Sequence, residues 1–318
     1  MFQIEKQPLG KITQYHLKNG VTGEFISILP SFGGVINQIC LAKNGQLHEL
    51  LDGCSTYEEL ISEGRNKYKG SKLFPFPNRI KDGQYIFENK VYNFPINFPN
   101  EKNAIHGSVL ENKFDIVAQV ASEFETSLSI ACTSSGKEEG YPFKTTIVIK
   151  YSLDKDGFSC STTIENKENK KIPVGDGWHP YFKTGSKIDT CFLTLPVACS
   201  YKVDSRMIPT GEFSEELVYS KSTRIGTTQF DTGYKLAKSA NKRMITKLED
   251  PTLDLSLNIW QDGGEGNYNY LQVYIPPDRQ SIALEPMTCL ADAFNNKEGL
   301  IVLLPSEKRN FSFGLKLE

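Results

Sequence analysis

An all-β fold, a sandwich or a barrel-like sheet, is expected of this chain on three observations. Helical periodicity is nearly absent. Short runs rich in β-branched and aromatic residues recur along the chain, with Asn-Gly and Asp-Gly turns between them. No long linker, low-complexity segment or fixed-period repeat breaks the pattern. Folds of this kind run long as one unit, so residues 1–318 are read as one domain.

Residues 11–29 alternate around Asn19-Gly20, a hairpin signal. A second hairpin is expected at Asn44-Gly45, after the apolar run from Val35 to Leu41. Ser55 and Glu58 have capping-box spacing, which predicts one short helix over about 56–63. Phe74-Pro75-Phe76-Pro77 is too stiff for a central strand. Asp82-Gly83 and Glu88-Asn89 mark turns, and Asn103 to Gly107 reads as a loop in which Gly107 leaves room for a close approach. From 114 to 165 strands follow one another; Thr145 to Tyr151 is β-branched, and Phe158 to Ile164 alternates after Asp156-Gly157. Glu165 to Lys171 reads as a solvated turn. Further strands are expected within 186–235, at Leu253 to Trp260, at Tyr270 to Ile275, through Ser281-Ile282-Ala283-Leu284, and near 299–304 and 310–316.

Composition narrows the function. A net charge of −2 gives no reason to expect nucleic acid or an anionic membrane as partner. No apolar run is long enough for a membrane span, and the N-terminus lacks the layout of a signal peptide. Seven scattered cysteines without a C-x-x-C suggest free thiols in a reducing, cytoplasmic compartment. The histidines at 16, 48, 106 and 179 show no close metal-ligand spacing, so no metal is expected. Asp262-Gly263-Gly264-Glu265-Gly266 is acidic and reads as a turn, leaving no phosphate loop.

Five segments carry groups that could do chemistry. In Gly177-Trp178-His179-Pro180-Tyr181-Phe182 an imidazole stands beside an aromatic wall, and Pro180 biases His179 toward extended backbone. Glu285 follows an apolar strand; burial there would raise its pKa toward that of a general base, or it is an ion-paired strand end. His179 is read as either a packed core imidazole or a proton donor. His106, before Gly107, has room for a ligand. Arg79, after Asn78, either clamps an oxygen with its planar fork or holds its own loop. Asp231, before Thr232-Gly233, is either an Asx-turn or a ligand-binding carboxylate. The cysteines look inert.

In order and at these distances, Asn78-Arg79-Ile80, Asn103 to Gly107, Trp178 to Phe182 and Glu285-Pro286 resemble the aldose 1-epimerase (mutarotase) family, and Ala291 to Asn295 resembles the stretch that follows the family's glutamate. The resemblance covers about residue 10 to the end. It implies a large antiparallel β-sandwich of the galactose mutarotase-like kind, with one or two short helices and an open sugar groove. It also implies a small-molecule sugar as partner, no cofactor, and a monomer or homodimer. Glu285 corresponds to the family's catalytic base and His179 to its acid. Arg79, His106 and Asp231 correspond to sugar-binding residues, with Asn78 beside them. Trp178 or Tyr181 would offer the sugar an apolar face. At Gly140-Tyr141-Pro142-Phe143 the chain has Phe where the galactose enzymes commonly show Gly, which loosens the link to galactose but not to the anomer chemistry.

Two other functions stay open. An epimerase of a phosphorylated or otherwise modified sugar would want cations beyond Arg79, for which Lys72 and Lys81 are candidates. A carbohydrate-binding protein without catalysis would need neither a tuned base nor an acid. A glycosidase would need a second carboxylate beside Glu285, from Asp231 or Asp292.

Overall fold

The computed structural model describes residues 1–215, 217–237 and 242–318. Among them, antiparallel strands dominate. A nine-stranded sheet runs in the spatial order Asp115–Ala121, Glu125–Thr133, Thr145–Asp154, Gly157–Asn166, Lys308–Leu317, Leu255–Asp262, Arg243–Asp250, Phe192–Thr194, Thr223–Arg224. Its strands alternate as the sequence predicts: Ile147, Ile149, Tyr151, Phe158 and Cys160 are buried, with more exposed neighbours between them. An eight-stranded sheet carries Pro209–Ser214, Val197–Val203, Asp231–Leu236, Tyr270–Tyr274, Ile282–Met287, Gly177–His179 and Ser71–Leu73 in that order, with Tyr181–Phe182 also paired to Ile282–Met287. The two inner faces meet in the core, where the Trp178 ring lies 6.1 Å from Tyr151 and 5.8 Å from Phe313. A five-stranded meander from Phe2–Leu9 to Gln46–Glu49 precedes both.

Local chemistry explains the turns. Asn44 and Gly45 both have positive φ (52° and 79°) and join Val35–Lys43 to Gln46–Glu49 by a two-residue turn. The expected Asn19-Gly20 hairpin is present but longer. Asn19 Oδ1 accepts from Val21 N, and it is Gly23 that takes the left-handed conformation before the strand Phe25–Leu29.

The helix is also displaced from its predicted frame. Its cap is Thr56, not Ser55: Thr56 Oγ1 accepts from Glu59 N at 3.0 Å, while Glu59 Oε2 accepts from Ser55 N at 2.7 Å. The helical segment runs Tyr57–Glu59, then a π-turn at Leu60–Gly64, then Arg65–Lys67, four residues beyond the predicted end. Tyr68, at φ 55°, ends it and sends its ring toward His106. A second short helix is Ala293–Asn296. All seven cysteines are free thiols, and among the described residues no helix is long and apolar enough to cross a membrane. Tyr141 and Phe143 are core residues, so the departure at Gly140 to Phe143 lies in the packing.

Candidate active site

Strand register assembles the site. Gly177 pairs with Met287 and Tyr181 with Ala283, so His179 stands opposite Glu285. Glu285 in turn pairs with Gln272, and Gln272 with Gly233. One row across the sheet therefore reads Gly233, Gln272, Glu285, His179; the next reads Asp231, Tyr274, Ala283, Tyr181. Side chains two apart on a strand share a face, so both rows point to the same side. That side is the wall of a cleft of about 250 Å3.

The same rule corrects one expectation. Trp178 lies one residue from His179 and so faces the opposite side. It is fully buried in the core between Tyr151 and Phe313 and does not reach the cleft. Tyr181 does line the cleft, with its ring stacked on the His179 imidazole at 4.7 Å and its hydroxyl donating to Lys67 O. It braces the imidazole and presents little free face, being only 4% exposed.

The far wall comes from two loops locked to each other. His106 N donates to Asn78 O at 2.8 Å, and Asn78 N donates to His106 Nδ1 at 3.2 Å. Both residues have positive φ (58° for Asn78, 63° for His106), and Asn103–Ile105 just before is a strand paired to Arg79–Lys81 rather than a loop. Because Nδ1 accepts, the His106 proton is assigned to Nε2, which leaves that nitrogen free to donate. Gly107 serves the backbone, not a ligand: a Cβ there would come within 2.0 Å of Phe74 O.

A chain of hydrogen bonds crosses the cleft. Gln272 Nε2 donates to Asp231 Oδ1 at 2.6 Å, Asn78 Nδ2 to Gln272 Oε1 at 3.2 Å, Arg79 NH1 to Asn78 Oδ1 at 3.2 Å, and Arg79 Nε to Glu101 Oε2 at 2.9 Å. Asp231 thus opens a strand and is not an Asx-turn. Phe98 lies under the Arg79 guanidinium at 5.7 Å and is 38% exposed at the cleft. Such a run of donors and acceptors beside an aromatic edge suits a polyhydroxylated ligand.

Electrostatics single out one pair. Glu285 is 2% exposed; its Oε1 lies 3.3 Å from His179 Nε2. Glu285 Oε2 and His179 Nδ1 are buried without hydrogen-bond partners among the described residues. Burial raises the Glu285 carboxyl well above its ordinary value; the Asp231 charge adds to this and Arg79 opposes it. Burial lowers His179 to about 3. His106 is held well below its usual value by burial, then by His179 and Arg79. Both members of the pair are thus driven toward neutrality by burial. Across 3.3 Å, a proton passing from carboxyl to imidazole would give carboxylate and imidazolium with no change in net charge.

The cleft gathers Glu285, His179, Arg79, His106, Asp231, Asn78 and Tyr181. Reasoning from sequence missed Gln272, Tyr274, Tyr68, Phe98 and Glu101. Gln272 and Tyr274 had a readable signal, since they alternate on a strand that pairs with the Glu285 strand. The cation candidates fare differently: Lys72 is in the core, bonded to Asp176, and Lys81 is exposed and does not line the cleft. Asp292 holds backbone, accepting from Lys81 N at 3.0 Å, and does not line the cleft either. His106, His179 and Glu285 can each offer one ligand atom within 4.8 Å of the others, a convergence that spacing along the chain concealed. Larger hollows of about 320 and 400 Å3 flank Trp260, but neither holds a buried acid–base pair.

The structure is thus an antiparallel sandwich with a buried imidazole beside a carboxyl on one wall of a polar cleft, and comparison with known proteins gives its family. The chain belongs to the aldose 1-epimerase family, whose model matches residues 13–316. It is 30% identical over 254 residues to the protein YihR of Escherichia coli K12, described as uncharacterized, spanning 77% of this chain and 78% of that one. It is 26% identical over 176 residues to the galactose mutarotase of Sus scrofa, spanning 54% of this chain and 49% of the mutarotase. Among solved structures, a galactose mutarotase-like protein from Clostridium acetobutylicum superposes with TM-score 0.86 at 20% identity, covering 100% of this chain and 98% of that one. Galactose 1-epimerase from Lactobacillus acidophilus gives 0.81 at 17% identity, covering 100% and 98%. The fold is that of the galactose mutarotase-like proteins.

Proposed function

We propose that the protein interconverts the α and β anomers of a free aldose, with Glu285 as base and His179 as acid. The observation that carries this reading is the facing pair itself, 3.3 Å apart and buried. The two oxygens that exchange protons in mutarotation, the C1 hydroxyl and the ring oxygen, are both bonded to C1. An acid and a base that serve them must stand side by side.

The steps balance. Glu285 carboxylate takes the proton of the C1 hydroxyl, the C1 carbonyl forms, the bond from C1 to the ring oxygen breaks, and His179 imidazolium protonates that oxygen. The open aldehyde turns about C1–C2. His179 then takes the proton back as the ring oxygen attacks the other face of C1, and Glu285 carboxyl returns its proton to the C1 oxygen. Arg79 favours the ionised Glu285 with which the cycle starts. The chain from Asp231 to Arg79, with His106 Nε2, supplies the hydrogen bonds that orient the ring.

The test is polarimetry of freshly dissolved α-D-glucose and α-D-galactose with the wild type and Glu285→Gln. The wild type should accelerate the approach to equilibrium, and the variant should lose about 10²–10⁴-fold while still binding sugar by calorimetry. Equal rates would remove Glu285 from the chemistry. Calorimetric binding without any acceleration by the wild type would replace the enzyme with a sugar-binding protein.

A further inference from the structure

We propose that Lys72 and Asp176, buried behind the acid–base pair, are positioning residues that hold the His179 strand at its working distance from Glu285; the inference rests on the acid–base reading above. The need for such a device is visible in the backbone. The two strands pair at Gly177–Met287, and again only at Tyr181–Ala283 and Phe182–Ile282. Between those points lie Pro180 and Pro286, neither of which has an N–H to give. A long hydrogen bond, Leu284 N to Pro180 O at 3.3 Å, spans that stretch, so the ladder is weak where His179 faces Glu285, and a further restraint on their separation comes from behind the sheet.

Asp176 is the node that sets it. On the core side, Lys72 stands opposite Trp178 in the strand register. Its Nζ lies 2.5 Å from Asp176 Oδ2 and 3.3 Å from Gly177 O, with the Trp178 ring 4.8 Å away. Tyr268 donates its hydroxyl to the same Asp176 oxygen at 2.6 Å. Asp176 N donates to Thr288 Oγ1, and Thr288 N to Asp176 O, both at 2.9 Å. Thr288 directly follows the strand that carries Glu285. One carboxylate and its backbone thus tie the Ser71–Leu73 strand, the His179 strand and the end of the Glu285 strand together, three residues from each member of the pair.

Stability alone does not account for this node. Lys72 and Asp176 are at most 1% exposed, and an ion pair so buried commonly contributes no more than a well-packed apolar pair, because desolvation offsets the Coulomb attraction. Asp176 Oδ1 and Trp178 Nε1 are, besides, buried without partners among the described residues. What the node does supply is direction: hydrogen bonds fix distances that apolar packing leaves looser. Neither residue reaches the cleft, so any effect on turnover must pass through the His179 strand.

The experiment replaces the charges together, Lys72→Met with Asp176→Asn, which keeps volume and leaves no unpaired charge in the core. Tyr268→Phe, which removes one hydroxyl, is carried alongside. Rates come from polarimetry, and the His179 imidazole is followed by NMR of 15N-histidine-labelled protein. The double variant is expected to fold, to keep KM within about three-fold, to lose about ten- to a hundred-fold in kcat, and to shift the His179 resonances and their titration. Tyr268→Phe should move both readouts the same way by less. A folded double variant with wild-type kcat and wild-type His179 resonances overturns the proposal. If the double variant does not fold, Tyr268→Phe decides: altered His179 resonances support the node, and unaltered ones overturn it. A wild type that turns over no sugar defeats the epimerase reading, and the His179 resonances still decide the positioning claim.

Discussion

His179→Asn tests the electrostatics of the site through stability rather than rate. Burial lowers the imidazole from its usual 6.5 to about 3. In the unfolded chain His179 binds a proton below 6.5, and in the fold it does not. The stability tied to this residue is therefore fully present above pH 6.5 and is lost as the pH falls toward 3. Each unit is worth about 1.4 kcal/mol, so between pH 7 and pH 4 the wild type should lose about 3 kcal/mol that the variant keeps. No discount for solvent screening applies, because the residue is 5% exposed. Urea unfolding of both proteins at both pH values, read by tryptophan fluorescence, gives the number. Burial, the largest cause of the His106 shift, acts in both chains, while the smaller part that comes from His179 is lost in the variant. The gap between variant and wild type should move by about 3 kcal/mol in the variant's favour on acidification. A movement under about 1 kcal/mol would mean that the folded imidazole takes a proton nearly as readily as the unfolded one, and that burial does not drive it toward neutrality.

The same pair predicts the rate profile. Because burial holds His179 near 3, kcat/KM should show no acid limb where a free imidazole titrates, and the limb that belongs to Glu285 should lie above the ordinary carboxylate range. An acid limb centred near 6.5 would refute this. Arg79→Ala removes a guanidinium bonded to Asn78 and Glu101 and facing Glu285; KM should rise about ten-fold or more with a fall in kcat, and unchanged kinetics would return Arg79 to holding its loop. Trp178→Phe should cost about 1–3 kcal/mol of stability and leave KM for sugar unchanged, because the indole faces the core. A ten-fold change in KM would put Trp178 back at the sugar.

Much of the fold was legible in the chain. Period-two burial in Thr145–Asp154 and Gly157–Asn166 follows from alternating side chains on a half-buried sheet, and the Asn44-Gly45 turn from two residues that tolerate positive φ. The helix frame slipped by one residue because Ser55 and Thr56 are both good caps, each with a Glu three residues on; only Thr56 has Glu59 where both bonds close.

The candidate site divides along the same line. Read alone, the chain shows which residue types are available and that a buried strand carboxylate and an aromatic-flanked imidazole could serve as base and acid. It could not assign Trp178, because the face a side chain takes depends on which strand lies opposite and in what register. Nor could it see that His106, His179 and Glu285 converge, that Lys72 is sealed behind them, or that Gln272 links Asp231 to Asn78. Those facts belong to pairings between residues far apart in the chain, from 41 positions for Asp231 with Gln272 to 194 for Asn78 with Gln272. Local propensity acts over a few residues; proximity at such separation is decided when the two sheets close on a common core, and only the tertiary structure records it.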